Sequence, residues 1–328
     1  MKVTVIGAGN VGATCANEII NKDLVNELVL VDINEGMVQG KALDLWQTSS
    51  ILQFDTRVRG VTNDYAATAG SEVIVITSGL PRKPGMSRND LIATNAKIVK
   101  DVTKKAIVHS PQAKIIVVSN PLDVMTYAAY LAANEVVPKR SNEIFGMAGI
   151  LDTARYKAFI AEELEMSPKS IHAILMGGHG DTMVPLPRYT SVASIPVREL
   201  IDEDVLQSII ERTKSGGGEI VKLMGTSAWY APGAAAAQMV EAIVKDSRRI
   251  FPVCAHLNGE YGLEDIYLGV PVILGKKGIE KIIELDLNKE EKELLYGSAR
   301  SVKEVMIILD DMNLFDQKYG RLNPVPKV

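Results

Sequence analysis

The chain has 328 residues, with 36 lysines plus arginines against 40 aspartates plus glutamates, and its net charge at pH 7 is -4. At roughly 150 residues per domain this length predicts two domains, and 47% hydrophobic with 23% charged residues excludes a disordered or collagen-like chain. A slightly acidic chain without blocks of like charge offers no surface suited to nucleic acid or to an anionic membrane, which favours small-molecule chemistry.

Cysteine usage and the N-terminal sequence both bear on location. The two cysteines are too few for a disulfide framework and have no zinc-ligand spacing, which favours a reducing compartment. The chain opens on the strand-like run Val3–Ile6 without room for a signal peptide, and no run approaches the ~18 apolar residues of a membrane helix. These features predict a cytoplasmic protein that does not cross a membrane.

Short apolar runs alternate with helical patterns in the N-terminal half. Val11, Cys15 and Ile19 recur at intervals of four residues, which predicts one helix stripe after the first strand and a packed rather than reactive thiol at Cys15. Four continuous apolar runs are typical of parallel strands covered on both faces: Val3–Ile6, Leu28–Val31, Val73–Ile76 and Ile115–Val118. This alternation predicts an open, doubly wound α/β sheet.

The pattern changes after about residue 147, and the second half is predicted to form an α+β domain. The predicted segments are a helix over Ile150–Leu164, a strand over Ile171–Met176, and short alternating segments near Met183–Pro187 and Tyr267–Leu274. A C-terminal helix is predicted from an apolar stripe formed by Leu295, Ala299, Val302, Met306 and Leu309. The chain is therefore divided into domains over 1–146 and 147–328, with a frayed end or surface arm over 323–328.

A glycine-rich segment joins the first strand to the first helix. It reads Gly7, Ala8, Gly9, Asn10, Val11 and Gly12. In this context the glycines permit a tight turn, the approach of a pyrophosphate and close helix packing, while the helix N-terminus supplies unpaired N–H groups. The motif predicts a Rossmann domain. A plain glycine turn and a flavin protein are the alternatives at this point.

Asp32 ends the second predicted strand, 20 residues after Gly12. A carboxylate at this position accepts hydrogen bonds from the adenine-ribose hydroxyls and repels a 2′-phosphate. The residue therefore favours NAD over NADP. A strand-ending aspartate without a ligand is the alternative interpretation.

Four histidines make the search for a general acid or base short. His179 lies in the glycine-flanked segment Gly177–Asp181 after an apolar strand, where an imidazole is presented to a cleft. His109 in a Ser-Pro turn, His172 inside a strand and His256 near a turn are interpreted as solvated or packed side chains. His179 is the candidate for proton transfer.

Two further segments carry charges suited to such a site. Asp152 and Arg155 are three residues apart on one predicted helix face, and a carboxylate behind an imidazole fixes its tautomer. Spacing alone favours a simple ion pair at a helix N-terminus. The segment Gly79–Leu91 carries three cations and follows the run Val73–Ile76, which predicts either a lid over an anionic substrate or a solvated turn.

Together these motifs resemble the lactate and malate dehydrogenase family, and within it the malate dehydrogenases that are built like lactate dehydrogenases. The resemblance covers nearly the whole chain and also includes Val118–Pro121, Gly146–Ala161 and Trp229–Pro232. It implies an NAD-dependent oxidoreductase, a small dicarboxylate substrate (malate or oxaloacetate), no metal, and a homodimer or homotetramer. A lactate or other 2-hydroxyacid dehydrogenase, and a non-catalytic NAD-binding protein, are the alternatives.

The resemblance also implies a role for individual residues. His179 is expected to donate and accept the proton and Asp152 to hold it, which replaces the interpretation of Asp152 from spacing alone. Arg155 is expected to bind the substrate C1 carboxylate through a bidentate fork, and Arg88 to polarise the reacting carbonyl. The remaining contacts implied are Asn120 with the substrate, and Asn95, Val118, Ser119 and Asn120 with the cofactor.

Arg82 is expected to decide the substrate. Lactate dehydrogenases of the family resemble one another in having a neutral glutamine here, whereas a cation matches the second carboxylate of oxaloacetate or malate. An unpaired Arg82 facing the methyl group of pyruvate in a closed site costs several kcal/mol, so malate is favoured over lactate. Lys83 has no assigned role, and Ser78 before Gly79 departs from the Ala-Gly or Gly-Gly pair of the family.

Overall fold

A computed structural model, which describes residues 1–81 and 87–316, contains a parallel sheet in the N-terminal half. Its six strands are β1 (Lys2–Ile6), β2 (Glu27–Asp32), β3 (Arg57–Thr62), β4 (Val73–Ile76), β5 (Lys114–Val117) and β6 (Ile144–Gly146). The spatial order is β3-β2-β1-β4-β5-β6, which reverses beside β1. The carboxyl ends of β1 and β4 therefore open a ligand crevice, and the predicted doubly wound sheet is confirmed.

Helices connect these strands and lead into the second half. They are α1 (Asn10–Asn21), α2 (Glu35–Gln47), α3 (Ser49–Leu52), α4 (Arg88–His109), α5 (Leu122–Asn134) and α6 (Gly149–Glu163). The stripe predicted on α1 is confirmed, because Cys15 and Ile19 are fully buried and Val11 is partly buried against the core. Burial raises the pKa of the Cys15 thiol to about 12, which keeps it protonated and unreactive.

The second half combines helices with antiparallel strands, as predicted. Five two-residue strands come first: β7 (Ile171–His172), β8 (Leu175–Met176), β9 (Val184–Pro185), β10 (Ser191–Val192) and β11 (Ile195–Pro196). The prediction of one strand over 171–176 is wrong, because β7 pairs with β10 whereas β8 pairs with β9 in another sheet. The chain changes sheets between Ala173 and Ile174, which a continuous apolar run does not reveal.

Three longer strands complete the main sheet: β12 (Arg249–Asn258), β13 (Glu264–Gly275) and β14 (Gly278–Ile282). They pair antiparallel with one another, and β12 pairs with β6 through Cys254 and Gly146, so nine strands form one sheet. The boundary predicted near residue 147 falls in the short connection between β6 and α6. The division into two domains itself stays a prediction.

The remaining helices pack on this frame: α7 (Glu203–Met224), α8 (Tyr230–Val244) and α9 (Lys289–Asp311). The predicted C-terminal stripe is confirmed, since Leu295, Ala299 and Leu309 are fully buried on α9. One core runs through both halves, and a smaller apolar cluster lies where α6 packs on α7. Within the described residues, 1–81 and 87–316, no helix is both long enough and apolar enough to span a bilayer. The predicted arm over 323–328 lies outside the described residues.

Candidate active site

The glycine-rich turn between β1 and α1 has the geometry of a phosphate cradle. Gly7 has a φ of +104°, and a Cβ there would lie 2.6 Å from the Thr77 Oγ1 atom, while a Cβ on Gly12 would collide with the Gly7 carbonyl. Gly9, in contrast, faces open space and is the N-cap of α1 without any side-chain cap. The first N–H groups of α1 are therefore left for an anion, and the turn fits the pyrophosphate of a dinucleotide.

Asp32 holds this turn from the end of β2. One carboxylate oxygen accepts a hydrogen bond from the Ala8 N–H at 2.6 Å, and the other accepts from the N–H groups of Ile33 at 2.7 Å and Asn34 at 3.1 Å. Three of about four acceptor positions on the carboxylate are thus occupied. Asp32 therefore shapes the cradle itself, and its predicted contact with a ribose stays a prediction.

The ends of β4 and β5 form the opposite wall of the crevice. The buried Asn95 amide accepts from the Leu80 N–H at 2.8 Å and donates to the carbonyls of Leu80 at 3.1 Å and Asn120 at 2.7 Å. Ser119 donates through its hydroxyl to the Ser78 carbonyl at 2.5 Å. Asn95 and Ser119 therefore fix the backbone of this wall, and Asn120 with Val118 lines the cavity.

His179 and Asp152 form a close pair. Their positions in the sequence, 27 residues apart, could not establish this contact. The His179 Nδ1 atom lies 2.8 Å from one oxygen of Asp152, whose other oxygen lies 3.4 Å from the Arg155 guanidinium. Burial disfavours the charged imidazole, but the charge and hydrogen bond of Asp152 outweigh it and raise the pKa of His179 above its usual value. The imidazole is thus suited to hold a proton near neutral pH.

Two residues that the sequence did not indicate hold the His179 segment from behind. The main-chain N–H of His179 donates to the buried carboxylate of Asp123 at 2.9 Å, and the N–H of Gly178 donates to the Ser298 hydroxyl on α9 at 2.8 Å. Burial raises the pKa of Asp123. A Cβ on Gly178 would approach Val302 to 2.6 Å, so the glycine is required by packing against α9.

A cavity of about 500 Å³ lies between His179 and the crevice residues Val11, Val118 and Asn120. Its walls include side chains from both halves of the chain, among them Val11, Val118, Asn120, Arg155, His179, Lys214 and Pro232. The Nε atom of Arg155 is buried and, within the described part of the chain, has no hydrogen-bond partner. An unpartnered guanidinium N–H beside a histidine is a suitable group for an anionic substrate.

Helix α7 forms one wall of the cavity, which the predictions from sequence did not include. Gly216–Gly218 lie in the middle of this helix, and a Cβ on Gly216 would lie 3.3 Å from the Arg155 Cδ atom. Three consecutive glycines inside an amphipathic helix pattern are a signal of close approach, because they weaken the helix. This signal marks the place where α7 makes room for Arg155.

Of the cations predicted in the lid, the structure describes Arg88. Arg88 is the first residue of α4, where Ser87 and Asp90 form a capping box, and its exposed side chain does not line the cavity. The prediction of a lid loop up to Leu91 is wrong at its end, because the capping box starts the helix at Arg88. Arg82 and Lys83 lie outside the described residues.

The other histidines also have defined places. His109 is the exposed last residue of α4 rather than a residue of a turn, and His172 is exposed on β7. His256 lies in β12, with ring centroids 6.1 Å from Tyr130 and 5.3 Å from Tyr267. None of the three lines the cavity of His179.

A doubly wound sheet whose phosphate cradle lies beside a partly buried histidine and an arginine defines a dinucleotide-dependent oxidoreductase. The family model described as "lactate/malate dehydrogenase, NAD binding domain" matches residues 1–144, and the one described as "lactate/malate dehydrogenase, alpha/beta C-terminal domain" matches residues 150–308. The chain belongs to the lactate/malate dehydrogenase family, and NAD is its cofactor. The family predicted from the motifs is confirmed.

Individual members of this family are similar to the chain over nearly its whole length. The malate dehydrogenase of Cytophaga hutchinsonii is 64% identical over 312 residues, which cover 95% of this chain and 99% of the relative. The solved malate dehydrogenase of Salinibacter ruber matches with a TM-score of 0.91 at 56% identity and covers 95% of this chain and 99% of that chain. A lactate dehydrogenase of Cryptosporidium parvum, solved with lactic acid and NAD, matches with a TM-score of 0.89 at 36% identity. The match covers 94% of this chain and 98% of that chain.

Proposed function

We propose that this chain is an NAD-dependent malate dehydrogenase, which interconverts malate and oxaloacetate. The 64% identity to a malate dehydrogenase over nearly the whole chain supports this substrate. The observation that carries the chemistry is the 2.8 Å pair of His179 and Asp152, of which His179 lines a cavity that Val11 of the glycine-rich segment also lines. A proton-transfer group and a dinucleotide cradle then face one small volume.

His179 carries the proton in this proposal. Because Nδ1 is held by Asp152, the other ring nitrogen, Nε2, is the one left to donate a proton to the C2 oxygen of oxaloacetate or to accept it from malate. Asp152 fixes this orientation and stabilises the imidazolium. When bound, the nicotinamide supplies or receives the hydride at C2. The protein therefore has to hold the His179 proton and the substrate C2 oxygen close together.

Arg155 binds the C1 carboxylate of the substrate. A guanidinium offers parallel N–H donors in a planar fork that matches a carboxylate, and its buried Nε atom lacks a partner within the described residues. The pair with Asp152 at 3.4 Å is long, which leaves donors of Arg155 for the substrate. Asn120, which lines the same cavity, contributes a further hydrogen bond to the substrate.

Arg82 and Arg88 complete the proposed substrate contacts. Arg82 pairs with the second carboxylate and Arg88 polarises the carbonyl, both on the strength of the family motif in Pro81–Leu91. Because Arg88 is exposed and outside the cavity wall, its role requires the first turn of α4 to approach the substrate. Asn95, Val118 and Ser119, with Gly7–Gly12 and Asp32, form the proposed cofactor site.

The assembly and location belong to the same proposal. A homodimer or homotetramer is supported by large exposed apolar side chains on α3 and at the end of α7, such as Ile51 and Leu223. Two free, buried cysteines suit a reducing cytoplasm. The division into a cofactor domain over 1–146 and a substrate domain over 147–328 follows the motifs. Sedimentation of the purified protein measures the oligomeric state.

Comparing oxaloacetate with pyruvate as oxidants of NADH tests the substrate. We expect a kcat/KM for oxaloacetate well above that for pyruvate. A preference for pyruvate would contradict the proposal and would favour a lactate dehydrogenase, the second candidate, which the similarity to the Cryptosporidium parvum enzyme supports. Binding of NADH without turnover of any 2-oxo acid would instead indicate a non-catalytic NAD-binding protein.

A further inference from the structure

Lys41 reaches from α2 back to the glycine-rich turn. Its Nζ atom donates a hydrogen bond to the Ala8 carbonyl at 2.8 Å, in a partly buried contact. Within residues 1–81 and 87–316 this is the hydrogen bond that the Lys41 side chain makes. The Lys41 ammonium group thus binds one backbone carbonyl of the cofactor cradle.

Ala8 is held on both sides by opposite charges. Its N–H donates to Asp32 at 2.6 Å and its carbonyl accepts from Lys41, while the residue itself is fully buried. Both partners lie outside the turn, on β2 and α2. The conformation of the second residue of the cradle is therefore set by one anion and one cation.

The cation matters because the cradle must receive an anion. A free Ala8 carbonyl would present partial negative charge near the pyrophosphate position, and Asp32 adds a full negative charge at the adenosine end. Lys41 offsets the first effect, since its ammonium group binds the Ala8 carbonyl, whereas Asp32 accepts from the N–H of the same residue. The turn can then direct its N–H groups, without competing negative charge, towards a phosphate.

We propose that Lys41 is a positioning and specificity-determining residue of the cofactor site. It holds the Ala8 carbonyl in place and puts a positive charge on the residue whose N–H donates to Asp32. The proposal rests on the proposed function only for the identity of the cofactor. It predicts that Asp32 rejects a 2′-phosphate in spite of a resident cation, and that removing Asp32 leaves this cation available to a phosphate group.

Titration of the whole protein with NADH, followed by fluorescence without any substrate, tests the positioning role. Lys41→Met should weaken NADH binding about tenfold, because a charge-assisted hydrogen bond is lost. Lys41→Arg should restore most of the affinity, and the KM for NADH should rise more than kcat falls in Lys41→Met. The control is Lys289→Met, since Lys289 is exposed at the start of α9, in the other half of the chain, and pairs with Glu293. Unchanged NADH affinity in a folded Lys41→Met protein would overturn the proposal.

Titration with NADPH tests the specificity role separately. Asp32→Ser should bind NADPH more tightly than the parent, and Asp32→Ser with Lys41→Met should lose about tenfold of that affinity. Asp32→Ser with Lys289→Met should keep that affinity. Equal NADPH affinity with and without Lys41 would overturn the specificity role. Because these titrations need no oxaloacetate, a protein that binds NADH but fails to reduce oxaloacetate would contradict the proposed function while leaving this test valid.

Discussion

The main-chain N–H of His179 donates a hydrogen bond to the carboxylate of Asp123 at 2.9 Å, while the ring of the same histidine pairs with Asp152 at 2.8 Å. Two buried carboxylates from different helices therefore fix one residue, one through its backbone and one through its side chain. Both also favour the protonated imidazole. Position and protonation of His179 are consequently set by the same two groups.

Replacing Asp123 should change the protonation of His179. Asp123→Asn keeps an acceptor for the His179 N–H but removes a negative charge that raises the pKa of His179. We expect the pH profile of kcat/KM for oxaloacetate reduction to move to lower pH. An unshifted profile would indicate that Asp123 is already protonated in the native protein, as its own raised pKa allows. Asp64→Asn, at an exposed turn, serves as the control.

The direction of the reaction should depend on pH through His179. Oxaloacetate reduction needs the imidazolium and malate oxidation needs the neutral ring. Because the pKa of His179 is raised above 6.5, reduction should persist above that pH and fall as pH rises through the raised value, while oxidation rises over the same range. The same group stabilises the folded state below its unfolded pKa, and this contribution is lost as pH rises through the folded pKa. Initial rates in both directions across pH test the assignment.

Removing the imidazole should separate binding from chemistry. His179→Asn should lower kcat by a factor of roughly 10² to 10⁴, the usual contribution of general acid-base catalysis. Its NADH affinity should be retained, since His179 does not belong to the glycine-rich turn. His172→Asn, an exposed histidine on β7, should keep the parental rate. Parental turnover in His179→Asn would refute the mechanism.

Arg155 should not tolerate exchange for the other basic residue. Arg155→Lys keeps the charge but loses the planar fork, so the KM for oxaloacetate should rise by roughly tenfold or more. Arg198→Lys is a matched control, because Arg198 forms an exposed pair with Glu203. Equal KM values in parent and Arg155→Lys would mean that the carboxylate is bound elsewhere.

Arg82 should determine which 2-oxo acid is used. Arg82→Gln should lower oxaloacetate turnover and raise pyruvate turnover, because the second carboxylate loses its partner and the methyl group no longer faces a charge. The ratio of the two kcat/KM values is the measurement. An unchanged ratio would show that another group reads the second carboxylate.

The glycines of α7 should differ in their effect on stability and on substrate binding. A Cβ on Gly218 meets no atom within 4 Å, so Gly218→Ala should raise the free energy of unfolding by about 0.5–1 kcal/mol. Gly216→Ala gains the same helix propensity but presses on Arg155 at 3.3 Å, so its KM for oxaloacetate should rise. Denaturant unfolding and steady-state kinetics of the pair distinguish the two. A KM for Gly216→Ala equal to that of the parent would argue against a packing role for Gly216.

The features that could be predicted from the sequence are those that depend on residues close together in the chain. The buried parallel strands and the turn over Gly7–Gly12 are visible because each depends on a short contiguous pattern. The edge strand β3 was missed, since its outer face exposes Arg57 and Arg59 and interrupts the apolar run. The long strand β12 contains Pro252 and begins with exposed residues, which likewise obscures it.

Contacts between distant residues could not be predicted in this way. Asp123 and His179 are separated by 56 positions, and Gly178 and Ser298 by 120, and neither pair has a local pattern. The reach of Lys41 to Ala8 likewise has no periodic signal. The family resemblance supplied His179 with Asp152, whereas the residues that support them required coordinates.

The pairing of Cys254 with Gly146 has a consequence for fragments of this protein. Through it, β6 is an interior strand whose backbone groups are covered on both sides. A chain ending after Gly146 would leave β6 at the margin of the sheet, with a row of unpaired N–H and C=O groups that templates association with other chains. The dinucleotide-binding half is thus protected from aggregation by a hairpin that the gene encodes more than 100 residues later.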